Sequence, residues 1–412
     1  MNLDQEIRKN RTTVASVRLT HNGIPIVQQG IQVKQKKHQF MFGSNWGEST
    51  LALVNNELSA REKELAELRN EHFFELFNQV TLPFYWGRFE PQRGQPQTER
   101  MLKTAHWYAE HDCTVKGHPL CWHTLTADWL LALDNREILQ AQLERIRRDV
   151  FDFAGVIDQW DVVNEAVIMP IFDRYDNGIT RLCKELGRIE LIRKMFAAAR
   201  EINPKVTLLL NDFDVSPAYD ILVEGCLAAG IRIDAIGIQS HMHQGYWGSE
   251  RTWTILERFE RFKLPIHFTE NSLVSGKLMP PEIVDLNDYQ VQEWPTTPEG
   301  EQRQAEEVVL HYKTLFAHPA VQGITWWDLS DGAWLNAPAG LLRGDQSCKP
   351  AFIELLKLIK GEWWYAPTRM ATDANGQFTF SGFQGEYELS IGARKVLFQL
   401  MEKGKTSISL DI

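Results

Sequence analysis

Residues 158–167 read DQWDVVNEAV, and the reading of this run decides the fold. Its centre, Trp160 to Val163, is strand material: aromatic and β-branched side chains suit a pleated, buried surface. The run then ends in Asn164 and Glu165. A lone carboxylate at a strand end is ordinarily a solvated terminus, so its meaning depends on what stands at the ends of the other strands.

IDQWDVVN (157–164) is one of eight runs that read as strands. The others are HQFMFGS (38–44), QVTLPFY (79–85), TVKGHPL (114–120), KVTLLLN (205–211), DAIGIQS (234–240), LPIHFTE (264–270) and GITWWDL (323–329). Between them, segments such as 57–75, 136–154, 187–202 and 301–317 carry helical spacing. Near-continuous apolar strands alternating with helices predict a parallel sheet buried on both faces. Eight of them predict an α/β fold, a (β/α)8 TIM barrel over residues 38–362, closed by a helix at 350–360. The flanks, 1–37 and 363–412, differ. Within them, 11–35 and 366–412 alternate apolar and polar residues around Gly turns. They predict one small antiparallel β accessory domain built from both ends of the chain, capping the N-terminal end of the barrel. The aromatics Phe378, Phe380, Phe383 and Tyr387 are expected in its core. Residues 275–300 predict a long loop after the seventh strand, on the face where barrel active sites lie.

Composition narrows the function. The chain has 412 residues, 43% hydrophobic and 24% charged, enough for one large folded domain and something small. Its formal charge of −10 argues against nucleic-acid or anionic-membrane partners, which require a basic face. No apolar run is long enough to span a bilayer. The polar start MNLDQEIRKN lacks the apolar segment of a secretory signal, which predicts a cytoplasmic protein if Met1 is the native start. Five scattered cysteines without a CxxC pair fit reduced thiols. Fourteen Trp exceed the needs of a core and suit stacking on sugar rings.

The strand ends carry the chemistry. The third strand delivers His118, with Trp122 and His123 beyond it. The fourth delivers Asn164 and Glu165, the fifth Asn211 and Asp212, the sixth Gln239 and His241, the seventh Glu270, and the eighth Trp326, Trp327 and Asp328. In a barrel these ends converge on one pocket. Two carboxylates across a barrel mouth suit glycosidic-bond cleavage: one is protonated and donates to the leaving oxygen, the other attacks the anomeric carbon. Amides such as Asn164 and Gln239 can hold the sugar 2-hydroxyl or the nucleophile. A metal site is the competing chemistry, drawing on His241, His243, His118, His123 and Asp212. Residues two apart on a strand point to opposite sides, however, so that cluster requires a bend at His241. No cofactor is expected.

The segments EPQRG (90–94), GHPLCWH (117–123), WDVVNEA (160–166), LLLNDF (208–213), IGIQSH (236–241), TE (269–270), ITWWDLSDGAW (324–334) and KPAF (349–352) follow one another as in glycoside hydrolase family 10. Over residues 38–360 the chain resembles that family, whose typical member is an endo-β-1,4-xylanase acting with retention. The resemblance implies Glu165 as general acid/base and Glu270 as nucleophile, with Asn164 and Gln239 holding the 2-hydroxyl and the nucleophile. It implies a sugar pocket lined by His118, His241, Trp122, Trp327 and Trp334, with Asn211 and Tyr85 also facing substrate. Three departures stand out. Where the family carries Glu, Asn and Lys that grip the xylose hydroxyls, this chain has Thr81, Leu82 and Tyr85. Leu125 replaces a common Gln. Ser272 replaces an Asp whose charge would favour protonated His241. The bond-breaking groups are kept and the glycone-reading groups are not, which predicts altered glycone recognition and, given the 275–300 loop, a narrowed groove. The substrate expected is a xylo-oligosaccharide or another β-glycoside. A non-catalytic carbohydrate-binding barrel is the alternative, although such a protein has no need of both Glu165 and Glu270.

Overall fold

The computed structural model describes residues 2–412. Eight parallel strands close into a barrel: β1 (Met41–Asn45), β2 (Gln79–Pro83), β3 (Thr114–His118), β4 (Ile157–Asn164), β5 (Thr207–Asp212), β6 (Ala235–Met242), β7 (Ile266–Leu273) and β8 (Val321–Trp326). Neighbours in space follow chain order, and β8 pairs with β1 to complete the ring. Alternate side chains, among them Val80, Leu82, Val115, Leu208, Leu210, Ile236, Ile238, Phe268 and Ile324, join the main hydrophobic core. The opposite set is more polar and fills the interior. Thr325 on β8 donates to Gln79 on β2 at 3.0 Å, and Gln79 donates to Thr81 at 3.1 Å. β1 separates those two strands, so the first bond passes over Gly43 of β1.

The predicted helices are present with shifted ends: Ala60–Leu76, Asn135–Asp152, Arg188–Ile202 and Pro298–Ala317. The closing helix, Pro350–Lys357, continues as a wider turn to Glu362. Several strand limits also move. The first predicted strand divides at residues 39–40, because His38 ends a strand outside the barrel and β1 begins at Met41. β2 stops at Pro83 and β8 at Trp326, earlier than expected, whereas β7 runs on to Leu273. Glu270 therefore lies inside its strand and not at its last position. Among the described residues no helix is long and apolar enough to cross a membrane.

Strands from both ends of the chain form two small sheets. In one, Thr12–His21 lies between Gln377–Phe383 and Gly404–Asp411; in the other, Gly30–His38 lies between Thr368–Ala371 and Gly385–Ile391, with Arg394–Leu400 outermost. The expectation of wholly antiparallel strands is corrected here, since Thr12–His21 and Gly404–Asp411 run parallel. The sheets enclose Ala15, Val17, Leu19, Ile31, Val33, Phe378, Phe380, Tyr387, Leu389, Phe398 and Leu400. A second correction concerns residues 1–37, read as all β: Leu3–Arg11 is a helix, capped by Asn2 and packed along Pro298–Ala317. Its short polar sequence masked it, because its stability comes from docking and not from a strong apolar stripe.

This unit meets the barrel at the N-terminal end of its strands, away from the Glu165 end. Arg11 is buried there, and its guanidinium donates to the carbonyls of Phe316 at 2.7 Å, His318 at 2.5 Å and Val321 at 2.7 Å. His38 packs between Phe42 and Phe316, with ring centroids 5.3 and 5.7 Å away. Arg11→Ala removes this buried donor from all three carbonyls, of which that of His318 keeps a second donor, the Val321 amide at 3.2 Å, and is expected to cost about 3 kcal/mol of stability. Urea unfolding of the two proteins measures this; a loss below about 1 kcal/mol would mean that water reaches those carbonyls.

Candidate active site

At the end of β4 the chain makes a sharp turn. Glu165 takes a left-handed backbone, φ 57°, which is uncommon for a residue with a side chain and is kept only where its surroundings hold it. Two contacts hold the turn: the Glu165 amide donates to the Asn211 carbonyl at 2.8 Å, and the Val167 amide donates to Asp212 at 3.0 Å. Arg188 donates to the carbonyls of Ala166 and Val167. The turn aims the Glu165 carboxyl back over the barrel mouth. There it accepts from Trp122 Nε1 at 2.7 Å and from the amides of Asn164 and Gln239, both at 3.3 Å.

Glu270 arrives by a different device. The pairing of β7 with both neighbours shifts register around Thr269, an irregularity of the kind that re-aims a side chain. Its carboxyl accepts from Asn211 Nδ2 at 3.0 Å and from His241 Nε2 at 3.1 Å, and His118 Nε2 stands 3.9 Å away. Asn211 also donates to Asn164 at 2.8 Å, and Gln239 donates to the same Asn164 oxygen at 3.1 Å. Side-chain amides therefore link the two carboxyl groups continuously. Asn211 fits because position 237 on the adjacent strand is glycine; a Cβ there would lie 2.2 Å from Asn211 Oδ1.

The two carboxyl groups sit in unlike surroundings. Burial pushes Glu165 up to about 8, against the pull of the Trp122 hydrogen bond, and the charges of Glu270 and Asp212 add to the rise. Asp212 is itself raised to about 7 by burial. Beneath His118, burial alone would raise Asp161, but Lys116 at 2.8 Å and His118 Nδ1 at 2.7 Å hold it below the ordinary carboxylate range. His241 Nδ1 lies 3.0 Å from the Ser272 hydroxyl. A neutral imidazole meets both of its contacts, donating to Glu270 through Nε2 and accepting from Ser272 at Nδ1.

Aromatic rings wall the cleft in sequence around its rim. Trp122 lies 5.5 Å from Tyr85, Tyr85 lies 5.5 Å from Trp46, and Trp46 lies 6.0 Å from Trp327. Trp327 meets His118 at 5.5 Å, and Trp334 meets His241 at 4.6 Å. The structure thus brings together Glu165, Glu270, Asn164, Asn211, Gln239, His118, His241, Trp122, Trp327, Trp334 and Tyr85. Of the three positions where glycone contacts were expected to change, only Tyr85 reaches this wall. Leu82 belongs to the main hydrophobic core and Thr81 is buried in the barrel interior.

Sequence reasoning missed Asp161, Trp46 and Asn45, which donates to the carboxylate of Asp328, a residue already noted at the end of the eighth strand. An acidic residue within an apolar strand was the available signal for Asp161. Asn45 was overlooked because the first strand was ended one residue early, at Ser44, and Trp46 because it follows that strand directly. The residues of the competing metal reading are engaged separately. His123 packs on Phe172, Asp212 accepts backbone amides, and His241 and His243 both lie against Trp334. The chain bends at the end of β6, so the opposite-sides expectation for those two histidines does not hold.

Fold and site together define a β/α-barrel protein with two carboxyl groups facing one aromatic-walled cleft. The family model for glycosyl hydrolase family 10 matches residues 45–357, and the chain belongs to that family. An endo-1,4-beta-xylanase/feruloyl esterase of Xylanibacter ruminicola is 27% identical over 66% of this chain and 40% of its own length. Anti-sigma-I factor RsgI6 of Acetivibrio thermocellus is 26% identical over 99% of this chain and 47% of its own. The chain therefore spans about half or less of the length of these two relatives. The crystal structure of xylanase 10B from Thermotoga petrophila RKU-1 in complex with xylobiose matches with a TM-score of 0.63 and 22% identity, covering 79% of this chain and 95% of that one; it shares the fold.

The raised Glu165 carboxyl carries a stability cost with a defined sign. Its folded value, about 8, lies above its ordinary 4.5, so ionisation favours the unfolded chain. Stability tied to this group is complete at pH values below 4.5 and is lost as pH rises towards 8. Between about pH 5 and pH 8.5 the native protein is expected to lose about 3 kcal/mol more than Glu165→Gln does. Urea midpoints at the two pH values give this difference. Equal losses would mean that Glu165 ionises normally.

Proposed function

We propose that this chain is a retaining β-glycoside hydrolase in which Glu165 is the general acid/base and Glu270 the nucleophile. One observation carries the reading: two carboxyl groups share a cleft, and burial keeps Glu165 protonated at neutral pH beside the charge of Glu270. That is the division of labour the reaction needs. In the first step a Glu270 oxygen attacks the anomeric carbon while Glu165 gives its proton to the departing glycosidic oxygen. The product is a glycosyl ester on Glu270. In the second step Glu165, now a carboxylate, takes a proton from water as that water attacks the same carbon. The sugar leaves with its configuration retained, and both carboxyl groups return to their starting states.

The surrounding groups support these roles. Asn211 and His241 donate to Glu270 and fix the attacking oxygen. Asn164 and Gln239 lie between the carboxyl groups, where an amide meets a sugar 2-hydroxyl as charge develops. His118, Trp122, Trp327 and Trp334 form the sugar pocket, and the family supports β-1,4-linked xylose as the starting assumption for substrate. Glycone recognition differs from that of an ordinary xylanase. Tyr85 offers a ring in place of a cation, and Ser272 gives His241 a neutral partner.

A second reading, a carbohydrate-binding regulatory protein without turnover, is favoured by one observation: the alignment with the anti-sigma-I factor runs over nearly the whole chain. Assays on aryl β-glycosides and defined oligosaccharides separate the two. Glu270→Gln should abolish turnover by about 10⁴-fold or more, as expected for loss of the nucleophile. Glu165→Gln should slow glycosylation by about 10²–10⁴-fold for poor leaving groups and far less for strongly acidic phenols, which need little protonation. The wild-type rate should fall on the alkaline side as Glu165 loses its proton near pH 8. Binding of oligosaccharides without any hydrolysis would establish the regulatory reading instead.

A further inference from the structure

The segment after β7 is a folded structure of its own and not a slack loop. Val274, Met279 and Trp294 form a small core with Ala337 and Ala339 from the segment after β8. Trp294 Nε1 donates to the Lys277 carbonyl at 2.8 Å, and Gln244, after β6, donates to the carbonyls of Pro280 and Ile283. At its far end a single turn of 3₁₀ helix, Leu286–Asp288, is capped by Asp285. Trp334 in the cleft wall donates to Asn287 in that turn at 3.3 Å.

From this braced position the turn reaches across to the segment after β4. Arg174 Nε lies 2.8 Å from Asp285 and its terminal nitrogen 2.8 Å from Asp288. Arg174 lies in the exposed segment between the Glu165 turn and Asn177, which caps the helix Gly178–Leu186. β5 and β6 stand between β4 and β7 in the barrel. The contact therefore spans the mouth, from the strand that carries Glu165 to the strand that carries Glu270. In strand order β5 and β6 lie to one side of it, and β8, β1, β2 and β3, with most of the aromatic wall, to the other.

A single exposed ion pair counts for little against side-chain entropy. Here one guanidinium engages two carboxylates on a turn already held by its own core, so little further ordering is required. We propose that Arg174, Asp285 and Asp288 form an ionic strap over the cleft, admitting short β-linked saccharides and small glycosides and excluding long unbranched chains. This rests on the hydrolase reading of the cleft and names its substrate class. An open groove lets a polymer lie on both sides, whereas a strapped one requires a chain end or a small molecule.

The test compares an aryl β-glycoside, a β-1,4-linked tetrasaccharide and the soluble polysaccharide of the same sugar. The wild type should cleave the tetrasaccharide with kcat/KM about 100-fold above that for the polymer, per chain. R174A and D285N/D288N remove opposite sides of the same contact, and each should raise polymer cleavage about tenfold while leaving the aryl glycoside within about twofold. Salt at about 0.5 M should move the wild type in the same direction by screening the strap, an arm that needs no variant. The proposal is overturned if the wild type prefers polymer, or if both variants and salt leave the chain-length ratio unchanged. Absence of hydrolysis of every β-glycoside by the wild type would instead sink the hydrolase reading, and the strap's role with it.

Discussion

Burial of Glu165 costs its ionised form more than its neutral donors return. Trp122, Asn164 and Gln239 all donate to the carboxyl group, and donors of this kind stabilise an anion. The desolvation of a group walled by aromatic rings outweighs them, and Glu270 opposes a second charge in the same small volume. The rest of the cleft is arranged around that imbalance. Asn211 and His241 direct their N–H groups to Glu270 and not to Glu165. Donors and burial are thus distributed unequally between the two groups, and burial favours the neutral form of Glu165.

The backbone supplies the rest of the arrangement through two departures from regular structure. A left-handed residue at the end of β4 and a register shift within β7 turn two side chains that ideal strands would send elsewhere. Each irregularity is secured from the neighbouring strand. The carbonyl of Asn211 and the carboxylate of Asp212 hold the Glu165 turn, while the Asn211 side chain accepts from Thr269 at the β7 shift. β5 is therefore the common support of both carboxyl groups, and Gly237 on β6 gives its key side chain room.

Eight strands and their order were legible in the sequence because an apolar run between two turns reads the same from any side of a barrel. The carboxyl pair was legible because Asn164-Glu165 and Thr269-Glu270 each close an apolar run, where polar residues have few structural uses. What failed was anything set by long-range docking. The helix Leu3–Arg11 is polar along much of its length, and its role depends on carbonyls more than 300 positions away. Asp161 looked like a strand residue because its partners Lys116 and His118 come from the neighbouring strand. Register shifts likewise leave no local trace, so Glu270 was taken for the last residue of a strand that continues to Leu273.

The two ends of the barrel show how the same kind of charge serves different ends. At the base Arg11 is buried and spends its donors on backbone carbonyls, which fixes the terminal sheets to the barrel and leaves nothing to open. At the mouth Arg174 is solvent-exposed and meets only carboxylates, so its contact is screened by salt and can part without leaving a buried group unpaired. Rigidity is thereby placed where the chain termini must be held, and a separable contact at the open end of the barrel. The turn that carries Asp285 and Asp288 is braced by a core of its own, so opening at Arg174 does not require that segment to unfold.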